Sequence, residues 1–199
     1  ELNGTDCIPD DLPARKKSIC TSRSFDGMVH DFETLRTHIA NFAARCAEKL
    51  RKQQSAASIG GVFVDSNHFR PELQQYSNMT EQNLATPSSS TIDIVKAATA
   101  CLRRIYRPDI YYKRAGVLLI GVVPDTAIQP DLFTFDALRQ GRMMQLDAAV
   151  DKINKIDGTE TVLLSSQQYP QSHKFADAIR HEHKSPCPTT RWKDIIKLK

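Results

Sequence analysis

Residues 112–123 read YKRAGVLLIGVV, and this run decides the fold. From Ala115 it is continuously apolar, which is the pattern of a strand in the middle of a sheet. Such a strand needs neighbours on both sides and a layer of other elements over at least one face. The rest of the chain is read for those partners.

Working upstream, residues 91–106 predict a helix. Ile92, Val95, Ala98, Leu102 and Tyr106 form one stripe, and Pro108 and Asp109 stop it. Ser90 suits its N-cap, with Asp93 three residues on. Residues 83–86 are a weak strand closed by Pro87, and residues 59–65 a short apolar one. Residues 33–52 give the clearest helix: Leu35, Ile39, Phe42, Cys46 and Leu50 recur at helical spacing. Asp31 and Glu33 suit its positive N-terminal end, while Lys49, Arg51 and Lys52 suit the other. Residues 15–25 read as a strand, with Asp26-Gly27 marking a turn. The order is strand, helix, strand, strand, helix, strand. It predicts an α+β fold, a four-stranded antiparallel sheet with two helices on one face and the other face open.

Downstream of Pro124 the character changes. Residues 125–135 are irregular, residues 136–155 are helical with Leu138, Met143, Leu146, Val150 and Ile153 roughly in phase, and residues 159–165 suit a strand. The expected division is an arm over 1–14, a folded domain over 15–123, a linker over 124–135 and a small α/β tail over 136–199.

The net charge of +4 is unevenly placed. Residues 1–14 carry four acids and no Lys or Arg; residues 15–123 carry 16 basic and 9 acidic side chains, a balance of +7. A positive central domain suits a polyanion. On the first strand Lys16, Lys17 and Arg23 alternate with Ser18, Ser22 and Ser24, and Lys113 and Arg114 begin the last strand. Small hydroxyl residues let a phosphate come close to backbone N–H groups, and the cations supply charge, so these eight residues are the candidate contacts to a nucleic-acid backbone. Arg103, Arg104 and Arg107 are explained equally well by the end of a helix. RNA-recognition domains share the element order but stack bases on aromatics of the central strands, where Phe63 alone qualifies. A cationic, uncovered sheet face holding duplex DNA is therefore expected.

Catalysis is not expected of this chain. Nucleotidyl transfer needs converging carboxylates for metal ions, and no strand end pairs them; phosphate-loop, dinucleotide and nucleophile-elbow motifs are missing too. The five cysteines are scattered without close pairs, which fits a reducing, cytoplasmic setting. His181, His183 and Cys187 read as a polar turn, not a metal site. No apolar run approaches the roughly 20 residues of a spanning helix, so no membrane partner is expected. Gln129-Pro130-Asp131-Leu132-Phe133 suits insertion into a hydrophobic groove of a partner, with Leu132 and Phe133 as anchors and the Gln129 amide fixing orientation.

Several stretches together resemble the UmuC-type Y-family translesion DNA polymerases: residues 17–25 (KSICTSRSF), 43–51 (AARCAEKLR) and 112–119 (YKRAGVLL), with Ser185-Pro186 and Thr189-Thr190-Arg191-Trp192 near the end. The resemblance implies a little finger domain over 15–123, a tether from the thumb over 1–14 and a sliding-clamp motif at Gln129, Leu132 and Phe133. It also implies a UmuC-specific C-terminal region over 136–199, associated with SOS mutagenesis, a UmuD′-like dimer and the recombinase filament. The DNA partner would be damaged or primer-template duplex. Polymerase activity and its Mg2+ would belong to a core outside this piece, and the chain, opening at Glu1, reads as a fragment.

Overall fold

A computed structural model describes residues 15–128, 136–158 and 160–168. The elements run β1 (Ile19–Val29), α1 (Phe32–Lys52), β2 (Ser55–Ser66), β3 (Ser77–Ser88), α2 (Thr91–Ile105), β4 (Tyr112–Pro124) and α3 (Ala137–Ile156). The sheet has the order β1-β4-β2-β3, antiparallel throughout. The apolar run of 112–123 is thus a central strand, and the fold is the expected α+β arrangement.

Alternation within the central strands assigns the two faces. Val62 and Val64 of β2, with Ala115, Val117 and Leu119 of β4, are buried beneath the helices. Against them α1 brings Leu35, Ile39, Phe42, Cys46 and Leu50, the stripe expected from spacing. In α2 the buried set is Ile94, Val95, Ala97, Ala98, Cys101, Leu102 and Ile105, while Ile92 and Tyr106 are only half-buried. The stripe is rotated from the expected one because Ile94 and Ile105 reach the sheet more directly. Burial pushes the Cys46 thiol up to about 11, despite its Thr21 partner. Cys20 is exposed on the opposite face. Thiol labelling followed by peptide mapping should therefore modify Cys20 in the native protein, and Cys46 and Cys101 only after unfolding.

Other expectations are corrected. Asp26-Gly27 is no turn: β1 continues to Val29 through a register break between Ser24 and Val29. The Lys113 ammonium donates to the carbonyls of Phe25 (2.6 Å) and Asp26 (3.2 Å), holding that irregular backbone. β3 is far longer than residues 83–86 and includes Pro87, which an edge strand accommodates because its outer N–H groups need no partner. Asp31 caps α1, accepting from the Thr34 N–H at 2.8 Å. Ser90, by contrast, occupies the N-cap position of α2 without making the cap bond. Asp93 accepts from Ser88 Oγ instead, and Asp147 of α3 accepts from the Thr91 N–H at 3.4 Å. The described part of 159–165 forms bends leading into a 3-10 turn, Ser165–Gln167, rather than a strand.

That turn packs on α1 through a reciprocal amide pair. Asn41 Nδ2 donates to Gln167 O at 3.1 Å, and Gln167 Nε2 donates to Asn41 Oδ1 at 3.2 Å. α3 therefore belongs with the helical layer, and among the described residues no helix lies over the opposite side of the sheet. No described helix is long and apolar enough to cross a membrane.

Candidate nucleic-acid interface

Strand register lays out the uncovered face row by row. One row runs Ser24, Arg114, Asp65, Ser77; the next Ser22, Gly116, Phe63, Met79; the next Cys20, Leu118, Gly61, Glu81. Side chains alternate along a strand, so each row shares one face. Gly116 keeps its row closely packed: a Cβ there would come within 2.5 Å of Ser22 Cβ and 2.6 Å of Phe63 Cε1. The Phe63 ring lies across the space that a side chain would fill. The Arg114 guanidinium sits over that ring at 5.3 Å, and its Nη2 donates to Ser22 Oγ at 3.4 Å. An exposed arginine is thereby held above the sheet instead of sweeping freely.

The predicted contacts divide into groups. Ser22, Ser24 and Arg114 lie together on the open face. Lys16, Lys17 and Ser18 are exposed just before β1, where Gln53 Nε2 donates to the Lys16 carbonyl at 3.3 Å. Arg23 shares the parity of Ile19, Thr21 and Phe25, the helix side of β1, and so stands apart from Ser22 and Ser24. Lys113 is already committed to the carbonyls of Phe25 and Asp26. Replacing it by Ala should cost about 1–2 kcal/mol of stability in a urea titration, with duplex affinity changed less than by loss of Arg114.

The face is not uniformly cationic. Asp65 and Glu81 lie on its β2–β3 half, and Asp65 accepts from Ser77 Oγ at 2.6 Å. This corrects the expectation of a positive surface across the whole sheet and confines the phosphate-compatible part to β1 and β4. Gly116, Leu118 and Ile120 went unnoticed as residues of the helix-free face, because a continuous apolar run conceals which parity faces out. The glycine inside a strand was the available signal.

The impB/mucB/samB family C-terminal domain matches residues 16–132 of the chain. The chain belongs to that family. A domain of unknown function (DUF4113) matches residues 144–198, which include most of α3. Protein UmuC of Salmonella typhimurium is 33% identical over 100% of this chain and 46% of its own length. Protein ImpB of Salmonella typhimurium is 29% identical, covering 98% of this chain and 45% of the relative. Protein MucB of Escherichia coli is 33% identical over the same shares, 98% and 45%. The chain spans about half the length of the curated relatives it matches. Among solved structures, the little finger domain of PolIV in a complex with the beta-clamp processivity factor aligns at TM-score 0.41 and 14% identity, covering 58% of this chain and 98% of that one. The Dbh DNA polymerase in an insertion ternary complex aligns at 0.40 and 10%, over 54% and 29%. Gln129, Leu132 and Phe133 lie outside the described residues, as do His181, His183 and Cys187.

Proposed function

We propose that this chain is the duplex-holding little finger of a UmuC-like translesion DNA polymerase, gripping the sugar-phosphate backbone without reading sequence. The observation that carries this reading is the open β1–β4 surface. It combines a fixed Arg114, the small hydroxyls Ser22 and Ser24, and the exposed Lys16 and Lys17 at its edge. Phosphates accept from all of these groups.

Affinity for duplex DNA should fall steeply with salt and hardly change with sequence. In an anisotropy titration, Lys16→Glu with Lys17→Glu should weaken binding about tenfold and flatten the log–log salt slope by about 0.9 per neutralised phosphate contact. Bound duplex should also shield Cys20 from thiol reagents. Unchanged affinity and unchanged Cys20 reactivity would remove this assignment.

A second reading concerns Gln129, Leu132 and Phe133, whose pattern suits the hydrophobic groove of a sliding clamp. Replacing Leu132 and Phe133 by Ala should abolish clamp binding in a pull-down with purified clamp while sparing duplex binding. A UmuD′-like dimer and the recombinase filament are proposed partners of the region beyond residue 136. Among the described residues no three His, Cys, Asp or Glu side chains converge as a metal site. Polymerisation and its Mg2+ are assigned to the remainder of a longer protein.

A further inference from the structure

α3 turns both of its carboxylates inward, beside the half-buried Met143 and Val150. Asp147 and Asp151, the only carboxylates within Ala137–Ile156, turn toward Arg51 at the end of α1. Leu138, Leu146, Ile153 and Ile156 are 77%, 45%, 39% and 69% exposed. On the outward side Leu146, Ala149, Ile153 and Ile156 recur at spacings of 3, 4 and 3, a short apolar stripe that Arg142 separates from Leu138. The charges remaining on the helix are all cationic. Arg139 is paired with Asp93, which leaves exposed Arg142, Lys152 and Lys155 around the stripe. The orientation is enforced, because turning the helix over would strip Arg51 of both carboxylates.

From this geometry we infer that the outward face of α3 docks another protein through an apolar surface bordered by carboxylates. A second copy of the same helix would set cations against cations, so charge selects an acidic partner. The inference does not depend on the DNA reading, which uses the far side of the sheet.

The test uses the full chain and two synthetic amphipathic helical peptides with one leucine stripe, flanked by Glu in one and by Lys in the other. Fluorescence anisotropy should show the Glu-flanked peptide binding at least about tenfold more tightly. Arg142→Glu with Lys152→Glu should erase or reverse that preference. Leu146→Gln with Ile153→Gln should reduce binding about tenfold, with an unchanged far-UV circular dichroism spectrum as proof of folding. Equal binding of both peptides, or of neither, would overturn the inference. So would a doubled mass in sedimentation that the Gln variants abolish, since the occupant would then be a second copy. Tighter binding to anionic lipid vesicles than to the acidic peptide would overturn it as well. If removing residues 1–14, with their four acids, raised peptide affinity, the face would be covered by the chain itself and the inference would fail.

Discussion

Gly116→Val is expected to lower both stability and duplex affinity more than any other single change on the open face. The position has no room: even a Cβ would meet Ser22 Cβ at 2.5 Å on β1 and the Phe63 ring on β2. β4 is hydrogen-bonded on both sides, so neither neighbouring strand can retreat without breaking ladder bonds. Overpacking of this kind costs about 1–3 kcal/mol for a small addition, and the two further methyl groups of Val place it at or above the top of that range. That is a large share of the roughly 5–15 kcal/mol that holds a domain together. The functional loss has a separate cause. Displacing Phe63 takes away the ring beneath Arg114, and the guanidinium regains the freedom it must surrender on binding phosphate. Urea denaturation should show the midpoint shift. Anisotropy on the fraction that folds should show affinity falling further than Phe63→Leu causes alone. If Gly116→Val matched the parent in both measurements, the packing described for this row would be wrong.

What was legible in the chain followed from burial. The α1 stripe and the core of β4 could be read because their apolar residues repeat with the period of the element and meet one continuous core. β3 was mostly illegible for the opposite reason. Its twelve residues, SNMTEQNLATPS, are mostly polar and none is buried. They form a strand because β2 presents an unpaired row of backbone groups, a cause that residue types do not record. β2 was under-read at its start because Ser55, Ala56 and Ala57 are small, although all three are buried. The eight candidate contacts were found as a list, but parity decides which of them cooperate. Arg23 falls on the helix side, and Lys113 lies at a register break where its chain turns back to β1. A run with basic residues at neighbouring positions cannot present them all to one ligand. For α3 the helix itself was legible and its orientation was not, because an apolar stripe ordinarily marks the inward face. Here an ion pair to a distant arginine outweighs it.

Arg51→Ala should expose that arrangement more sharply than any other substitution. One guanidinium joins three parts of the molecule. Its Nε and Nη2 donate to the two carboxylate oxygens of Asp151, each at 2.6 Å, and Nη1 donates to Ser89 O at 2.8 Å and Thr91 Oγ1 at 3.0 Å. Asp147 lies 3.6 Å away, and the Arg51 and Asp147 side chains are 17% and 9% exposed. Removing one member of a buried pair costs about 3–5 kcal/mol when the other stays buried. Here it need not stay buried, because α3 makes few other contacts with the helical layer and can lift away to hydrate Asp147. The cost to the core is then limited to the lost Ser89 and Thr91 bonds, about 1–2 kcal/mol. The larger effect falls on α3, since a detached helix of this length is marginal in water. Hydrogen exchange should show the amides of Ala137–Ile156 losing at least about tenfold in protection, while Leu119 and Val62 in the sheet stay slow. Arg51→Lys keeps the charge without the fork and should fall between. Asp151→Ala should release α3 while sparing the Ser89 and Thr91 bonds, so its denaturation midpoint should stay near the parent's. If Arg51→Ala sped exchange only at the fraying ends of α3, or if the sheet amides lost protection in step with the helix, α3 would be held by something other than this charge cluster.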